Sequence, residues 1–435
     1  MAFSRKNKQE IKFPLLETYR NAQIEFMMNP YDPERNSEGG IPVAIAENNL
    51  CREILISKLK CYDAFSHGVL NYTSPDGFPP TKSSFARFLS QTIFKSEFDA
   101  RSENLIIAAG VTALLFLLSC TLFEENESVL IPTPYYPAFD PDFKTLGGVN
   151  VVEVKIPTDN GVITTEGLNE SYNRSVGLGY PPKAFLLTNP HNPTGRIYSL
   201  DEIALVISWC QEKHIHLIAD EIYALSIFDP SDDNPFLSVA NIVHGKLGDY
   251  IHILWGLSKD FGASGARVGV LFSQNNELLQ SIRNIMILSS VPVLMQDLAA
   301  YILDDSTFVT DYLSESNRLL KRSYDLLTSS LDRIKVPYVR ARSGLFLFVN
   351  FGQYLDEPTF EAEERLNQLF ISRGIAMSSG ASCHCQEPGY FRICYAWVNT
   401  ATLEELVRRL TLIVEEREEQ HRNGTIRSLK NDQPV

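Results

Sequence analysis

Four stretches of the chain carry side chains that could act together on one ligand. Gly110-Val111-Thr112 follows the apolar run 104–109 and opens a helical pattern. Asn189-Pro190-His191-Asn192-Pro193-Thr194-Gly195 follows the run 183–188. Asp220 closes the run 215–220 and leads into Glu221, Ile222 and Tyr223. Gly256-Leu257-Ser258-Lys259 follows the run 250–255, with Arg267 eight residues beyond the lysine. A helix N-terminus bearing a hydroxyl, with an arginine nearby, suits a phosphate, because unpaired N–H groups, the helix dipole and the guanidinium fork all favour an anion. A lysine amine forms an imine with an aldehyde and, once displaced by a substrate amine, can move a proton. A carboxylate opposite a pyridine nitrogen keeps that nitrogen protonated, and the charged ring then draws electrons from an attached carbanion. An amide and a phenol can hydrogen-bond the ring's 3-oxygen and lower the imine's proton affinity. The set is that required by pyridoxal 5'-phosphate.

Taken singly, each residue has an ordinary explanation. Ser-Lys is a common surface dipeptide, and a strand-end Asp or an Asn-Pro-Thr-Gly is turn chemistry. Tyr135 and Tyr136 suit a core, Arg392 an ion pair, and Glu47 a solvated loop. Convergence distinguishes the four stretches: in an open parallel sheet, ligands bind beyond the carboxyl ends of the strands, where those stretches fall.

The elements that must position them are short β-branched runs alternating with helical patterns. The runs are 104–109, 127–132, 149–156, 183–188, 215–220, 250–255 and 268–272. Runs apolar on both faces, separated by helix-length segments, predict an α/β fold with a mostly parallel seven-stranded sheet covered by helices. One connecting helix is marked by a Ser199–Glu202 capping box ahead of Ile203, Val206, Ile207 and Cys210. Beyond Asp305 the pattern changes to long charged helices with a few strands such as LFLFVNF, a smaller α+β unit. The expected division is 1–65 as an N-terminal segment joining the small domain, 66–305 as the large domain, 306–415 as the small C-terminal domain, and 416–435 as a polar, flexible tail.

Composition narrows the partners. Lys and Arg number 39 against 53 Asp and Glu, a formal charge of −14. That balance offers no general attraction for nucleic acid or anionic lipid. The uncharged run 108–123 is short for a bilayer span and contains Gly110 and Thr112 at a strand-to-helix junction, so it reads as a buried element. The N-terminal MAFSRKNKQE lacks a following apolar region, so no signal peptide is expected. Seven scattered cysteines without a CxxC pair suit reduced thiols in a cytoplasmic enzyme. Cys383-His384-Cys385 cannot readily close a metal tetrahedron alone, so a plain loop and no metal site are expected.

The order PYYP, NPHNPTG, DEIY, Ser-Lys with Arg eight on, and a late Phe-Arg resembles the fold type I aminotransferase superfamily. Within it, the segments NPYDPERNSEGGIPVAIAENNLC, AAGVTALLFLL, PTPYYPAFDPD, LSKDFGASGARVG and SGASCHCQEPGYFRICYA resemble the 1-aminocyclopropane-1-carboxylate (ACC) synthase-like branch, over residues 29 to about 397. The resemblance implies that Lys259 forms the internal aldimine with pyridoxal 5'-phosphate and that Asp220 pairs its ring nitrogen. It implies that Asn192 and Tyr223 bond the 3-oxygen and that Tyr136 stacks on the ring. Val111, Thr112, Ser258 and Arg267 would hold the phosphate, and Arg392 the substrate's α-carboxylate. Tyr72, five residues before Gly77, matches a tyrosine that reaches the phosphate of a neighbouring subunit, which implies a homodimer. Glu47 matches a substrate-pocket residue of ACC synthases.

Two positions depart from the pattern. Gly256 stands where the family usually has a serine, removing a phosphate hydroxyl. Pro75, two residues before Gly77, stands where plant ACC synthases carry a tyrosine linked to their reaction. The expected activity acts at the α-carbon of an amino acid through an aldimine and a quinonoid, and the superfamily-wide motifs favour transamination. ACC-type α,γ-elimination, β-elimination with carbon–sulfur cleavage, and a non-catalytic binding role are the alternatives. No GxGxxG follows a strand, which argues against a nicotinamide enzyme.

Overall fold

Uninterrupted β-branched and aromatic runs can be buried on both faces only if helices cover both sides of a sheet. The computed structural model, which describes residues 14–64, 69–95, 97–159 and 161–423, shows this arrangement. The large sheet holds β1 (Leu105–Ala108), β2 (Ser128–Pro132), β3 (Asn150–Val154), β4 (Pro182–Thr188), β5 (His216–Asp220), β6 (Ile251–Gly256) and β7 (Gly269–Ser273). Its order is β1-β7-β6-β5-β4-β2-β3. The pairs β6/β5, β5/β4, β4/β2 and β2/β3 are parallel, whereas β7 is antiparallel to both neighbours. The mostly parallel seven-stranded expectation therefore holds. The reversal of β7 has a consequence for the site: its first residues lie at the edge where its neighbours end, which brings Arg267 beside the carboxyl ends of β1 and β6.

Alternation within the strands divides the core in two. Ile107, Leu187, Leu217, Ile253 and Val270 pack on one side with Phe85 and Trp255. Ile106, Leu186, Ile218, Leu254 and Leu271 pack on the other with the helix Val111–Leu122. The run 108–123 is thus the end of a strand and a helix whose leucines are buried. No single helix among the described residues is long and apolar enough to cross a membrane. The capping box closes as expected: the Ser199 hydroxyl accepts from the Glu202 N–H at 3.2 Å, and Glu202 accepts from the Ser199 N–H at 3.0 Å.

A further core gathers Leu320 and Leu327 of the helix Ser306–Arg333 with Phe346, Leu347 and Ile393. Phe346–Asn350 and Tyr390–Cys394 are the central strands of a four-stranded sheet there, flanked by Tyr338–Val339 and Ser378–Ser379. The N-terminal strand Ile41–Pro42 pairs in parallel with Ile375–Ala376, and Ile41 and Val43 enter the same core. The tail expected from residue 416 needs correction. The helix Thr400–Arg422 continues past that point, because Arg417 donates to the Tyr354 carbonyl and to Asp356, both at 2.8 Å. Residues 424–435 lie outside the described residues.

Candidate active site

The ends of β1, β4, β5 and β6 open into one cavity of about 250 Å³, closed on its other side by residues from the N-terminal segment and by Arg392. Ten sequence-predicted residues line it: Val111, Thr112, Tyr136, Asn192, Asp220, Tyr223, Ser258, Lys259, Arg267 and Arg392.

Lys259 sits in the short helical turn after β6, and its Nζ donates to the Ala46 carbonyl at 2.5 Å. Burial disfavours the ammonium, the nearby Arg392 and Arg267 add to this, and the amine is pulled down to about 8. At that value a substantial neutral fraction exists near physiological pH, the form that attacks a carbonyl.

Asp220, the last residue of β5, is 4 % exposed. Its carboxyl accepts from the Ile222 N–H at 3.3 Å and the Thr188 hydroxyl at 3.4 Å. Burial raises it to about 7, only partly offset by these bonds and by Lys259. An ionised carboxylate at such a site needs a cation. A protonated pyridine nitrogen is a cation of suitable shape.

Arg392 crosses from the smaller sheet and is 1 % exposed. It donates to the Asn192 side-chain oxygen at 2.8 Å, the Ala44 carbonyl at 2.6 Å and the Ser378 hydroxyl at 3.3 Å. Its Nε has no partner, and its guanidinium lies 5.3 Å from the centroid of the Phe346 ring. No carboxylate among the described residues pairs with it, so an incoming carboxylate would satisfy both the charge and the orphaned N–H. The Asn192 amide oxygen accepts from Arg392, so its NH2 group is the end that could donate to a ligand. Tyr223 is buried and edge-on to Phe346 at 5.3 Å, and Tyr136 is edge-on to Phe139 at 5.3 Å.

At the other end of the cavity, Gly110 caps the helix Val111–Leu122 with φ 86°. A Cβ there would lie 2.5 Å from Arg267 Nη2, so only glycine lets that guanidinium reach the helix start. Arg267 donates to the Ala109 carbonyl at 3.2 Å and the Ser264 carbonyl at 3.0 Å, which fixes it over the free N–H groups. The lysine, the unpaired carboxylate and this anion cradle fit pyridoxal 5'-phosphate.

Three predicted features sit differently. Tyr72 is fully exposed and outside the cavity. Glu47 does not line the cavity, but it accepts at 2.7 Å from the hydroxyl of Ser264, which does. Gly256 is extended, and a Cβ on it would lie 2.7 Å from the Val268 carbonyl, so β6 and β7 leave little space for a side chain. Sequence reasoning missed Tyr19, Arg20 and Asp142. Tyr19 and Arg20 line the cavity from the helix Pro14–Met28. Asp142 accepts from the Thr112 hydroxyl at 3.4 Å and is raised to about 6 by burial. Asp142 lies within the quoted PYYPAFDPD segment, which was the one available signal.

A lysine, a carboxylate and a guanidinium around an anion cradle suit a phosphorylated carbonyl cofactor. The sequence model for aminotransferase class I and II matches residues 40–410, and the chain belongs to that family, whose cofactor is pyridoxal 5'-phosphate. Among curated relatives, 1-aminocyclopropane-1-carboxylate synthase 6 of Arabidopsis thaliana is 32% identical over 408 residues, covering 90% of this chain and 81% of that one. 1-aminocyclopropane-1-carboxylate synthase 3 of Solanum lycopersicum is 31% identical over 406 residues, covering 90% and 86%. A Thermus thermophilus aspartate aminotransferase single mutant superposes with a TM-score of 0.77 at 18% identity, covering 95% of this chain and 100% of that chain. An aromatic aminotransferase from Pyrococcus horikoshii superposes at 0.75 with 20% identity, covering 91% and 99%. At those identities the structural likeness establishes the fold.

Proposed function

We propose that this enzyme transfers the amino group of an amino acid, with Lys259 moving the proton between the α-carbon and the cofactor. The observation that carries the reading is the placement of a neutralisable amine, an unpaired buried carboxylate and an unpaired buried guanidinium around one cavity. Pyridoxal 5'-phosphate supplies an aldehyde that condenses with amines and a ring that accepts the electron pair released at the α-carbon.

The chain's own residues do the rest. Gly110, Val111, Thr112, Ser258 and Arg267 hold the phosphate by N–H groups, hydroxyls and charge. Asp220 holds a proton on the ring nitrogen. Asn192 and Tyr223 would donate to the ring oxygen, and Tyr136 would cover one ring face. Arg392 grips the substrate carboxylate, fixing which α-carbon bond faces Lys259. Replacing Arg392 with lysine keeps the charge but loses the fork and the Asn192 bond. KM for amino acids is expected to rise about a hundredfold, with the cofactor's absorbance retained. An unchanged KM would place the carboxylate elsewhere.

Lyase chemistry is the second reading. The curated relatives favour it, while Pro75, in place of the ACC synthase tyrosine, favours transfer. Incubating the holoenzyme with an amino-acid panel and S-adenosylmethionine, then weighing the products, decides between them. A keto acid with pyridoxamine phosphate is the expected result. ACC, or pyruvate with a thiol, would replace transfer by elimination, and no product at all would leave a binding role.

The reading includes a homodimer. Tyr72 is fully exposed, and Ile287 and Leu288 are 67% and 96% exposed. Ser290 donates to the Pro75 carbonyl at 3.3 Å, so these side chains lie on neighbouring stretches of surface. A second chain covering them would bring its own Tyr72 towards this cavity.

A further inference from the structure

The Cys383-His384-Cys385 run stands out in the sequence and has no role in the site described so far. It lies between the strands Ser378–Ser379 and Tyr390–Cys394, on a turn that ends at His384 with φ 58°. A non-glycine residue in that left-handed conformation is held there by its contacts. His384 Nε2 lies 2.5 Å from Asp140 Oδ2, and Nδ1 lies 3.0 Å from Glu153 Oε1. Its ring stacks on Tyr135 with centroids 4.2 Å apart and planes 15° apart, and the Tyr135 hydroxyl donates to Asp140 at 3.0 Å. The Tyr135 N–H donates to the Cys383 carbonyl at 2.8 Å, and Thr158 Oγ1 lies 3.0 Å from Cys385 Sγ. All of these but the Tyr135–Asp140 bond join this C-terminal loop to the large domain. Glu153 belongs to β3, and Asp140 and Tyr135 flank Tyr136.

The cysteines fall in no candidate metal set among the described residues. Among the described residues, no group of three or more metal-binding side chains is found, and burial pushes the Cys383 thiol to about 11 and that of Cys385 to about 12. The bridge is instead ionic. Burial disfavours the imidazolium, but the bonds to Asp140 and Glu153 outweigh it and raise His384 to about 9. Its bond in turn holds Glu153 below the usual carboxylate range. The other charges near the bridge are Lys155, which acts on Glu153, and Arg174, which donates to the Glu153 carbonyl.

We infer that His384 is a positioning residue: bridging Asp140 and Glu153, it seats the loop that leads into Arg392 against the segment that presents Tyr136. It thereby sets the spacing between the carboxylate-binding guanidinium and the ring-stacking phenol. The inference rests on the roles proposed above for those two residues. Without the bridge, Asp140 and Glu153 lose the cation they share and the loop loses its ionic anchor.

The test compares holoenzyme with His384→Gln and His384→Arg from pH 6 to 10, following amino-acid kinetics, cofactor absorbance and the thermal midpoint. His384→Gln is expected to raise KM about tenfold at pH 7 with kcat changed less than about twofold, since a small displacement of a binding group is costly. The ratio of variant to wild-type KM should fall towards one as the pH passes about 9, where wild type loses its own cation. Titration of the substrate amine cancels in that ratio. His384→Arg keeps a cation and should restore KM near pH 7, then bind better than wild type above pH 9.

The midpoint difference should follow the same course. A raised folded-state pKa stabilises fully below the ordinary histidine value and is lost as pH rises through the folded value. A KM ratio constant with pH, or a loss confined to the thermal midpoint, would overturn the positioning role. If wild type neither binds pyridoxal 5'-phosphate nor turns over amino acids, the proposed function fails, while the pH-dependent midpoint difference still tests the bridge.

Discussion

Replacing Lys259 with alanine is expected to lower turnover about ten-thousand-fold, the upper range for loss of a positioned proton carrier. The size of the effect follows from two tasks resting on one atom. In the proposed function the Lys259 amine would both attach the cofactor and carry the proton that leaves the α-carbon. No second lysine lines the cavity among the described residues, so no neighbour can take over. Lys259→Arg should fail nearly as badly, because a guanidinium does not lose its proton. Cofactor should still bind through the phosphate cradle, so the deficit should fall on kcat in single-turnover kinetics. Activity within tenfold of wild type would mean that another group moves the proton.

The second large effect is at Asp220. An asparagine there cannot hold a proton on the ring nitrogen by charge. Two unit charges about 4 Å apart interact by about 4 kcal/mol at an effective dielectric of 20, so Asp220→Asn should cost about a thousandfold in turnover. The same substitution should act in the opposite direction on the cofactor-free protein. Burial raises Asp220 to about 7 in the folded chain, above its ordinary carboxyl value. The native state therefore holds a proton that the unfolded state has lost, and stability falls as pH rises from about 4 to about 7. Asp220→Asn removes that penalty, so the cofactor-free variant should melt higher than cofactor-free wild type at pH 8, and the two should converge near pH 4. A variant that melts lower at pH 8 would mean that Asp220 already has a compensating partner without cofactor.

Much of this was legible in the sequence, for physical reasons. Parallel strands buried on both faces leave unbroken apolar runs, so their carboxyl ends can be located, and the residues just beyond them gather at one edge. That logic brings Lys259, Asp220, Asn192 and Thr112 together without any long-range information. Arg267 is a harder case. It precedes a strand, and only the antiparallel course of β7 puts that strand's beginning at the same edge. Arg392 lies on a different sheet, and its bond to Asn192 spans 200 residues of sequence. Its type and the family order pointed to it, whereas its partners came only from the fold.

Other features left no local trace. Tyr19 and Arg20 reach the cavity because the strand Ile41–Pro42 pairs with Ile375–Ala376 and draws the N-terminal segment across the site. Nothing in the spacing of that helix indicates such a closure. The polar run after residue 415 read as a tail because charge was counted without partners. In the structure, Arg417 finds Asp356 and the Tyr354 carbonyl, and the helix continues. His384 does lie in a loop, but its ionic role has no local signal, because the two carboxylates that hold it come from 231 and 244 positions away.

The most direct measurement is to load the protein with pyridoxal 5'-phosphate, reduce it with borohydride, digest it and weigh the peptides. One reduced adduct, on the peptide carrying Lys259 and at one cofactor per chain, is the expected result. An adduct spread over surface lysines, or a Lys259 peptide of unaltered mass, would contradict the assignment of that amine as the point of attachment.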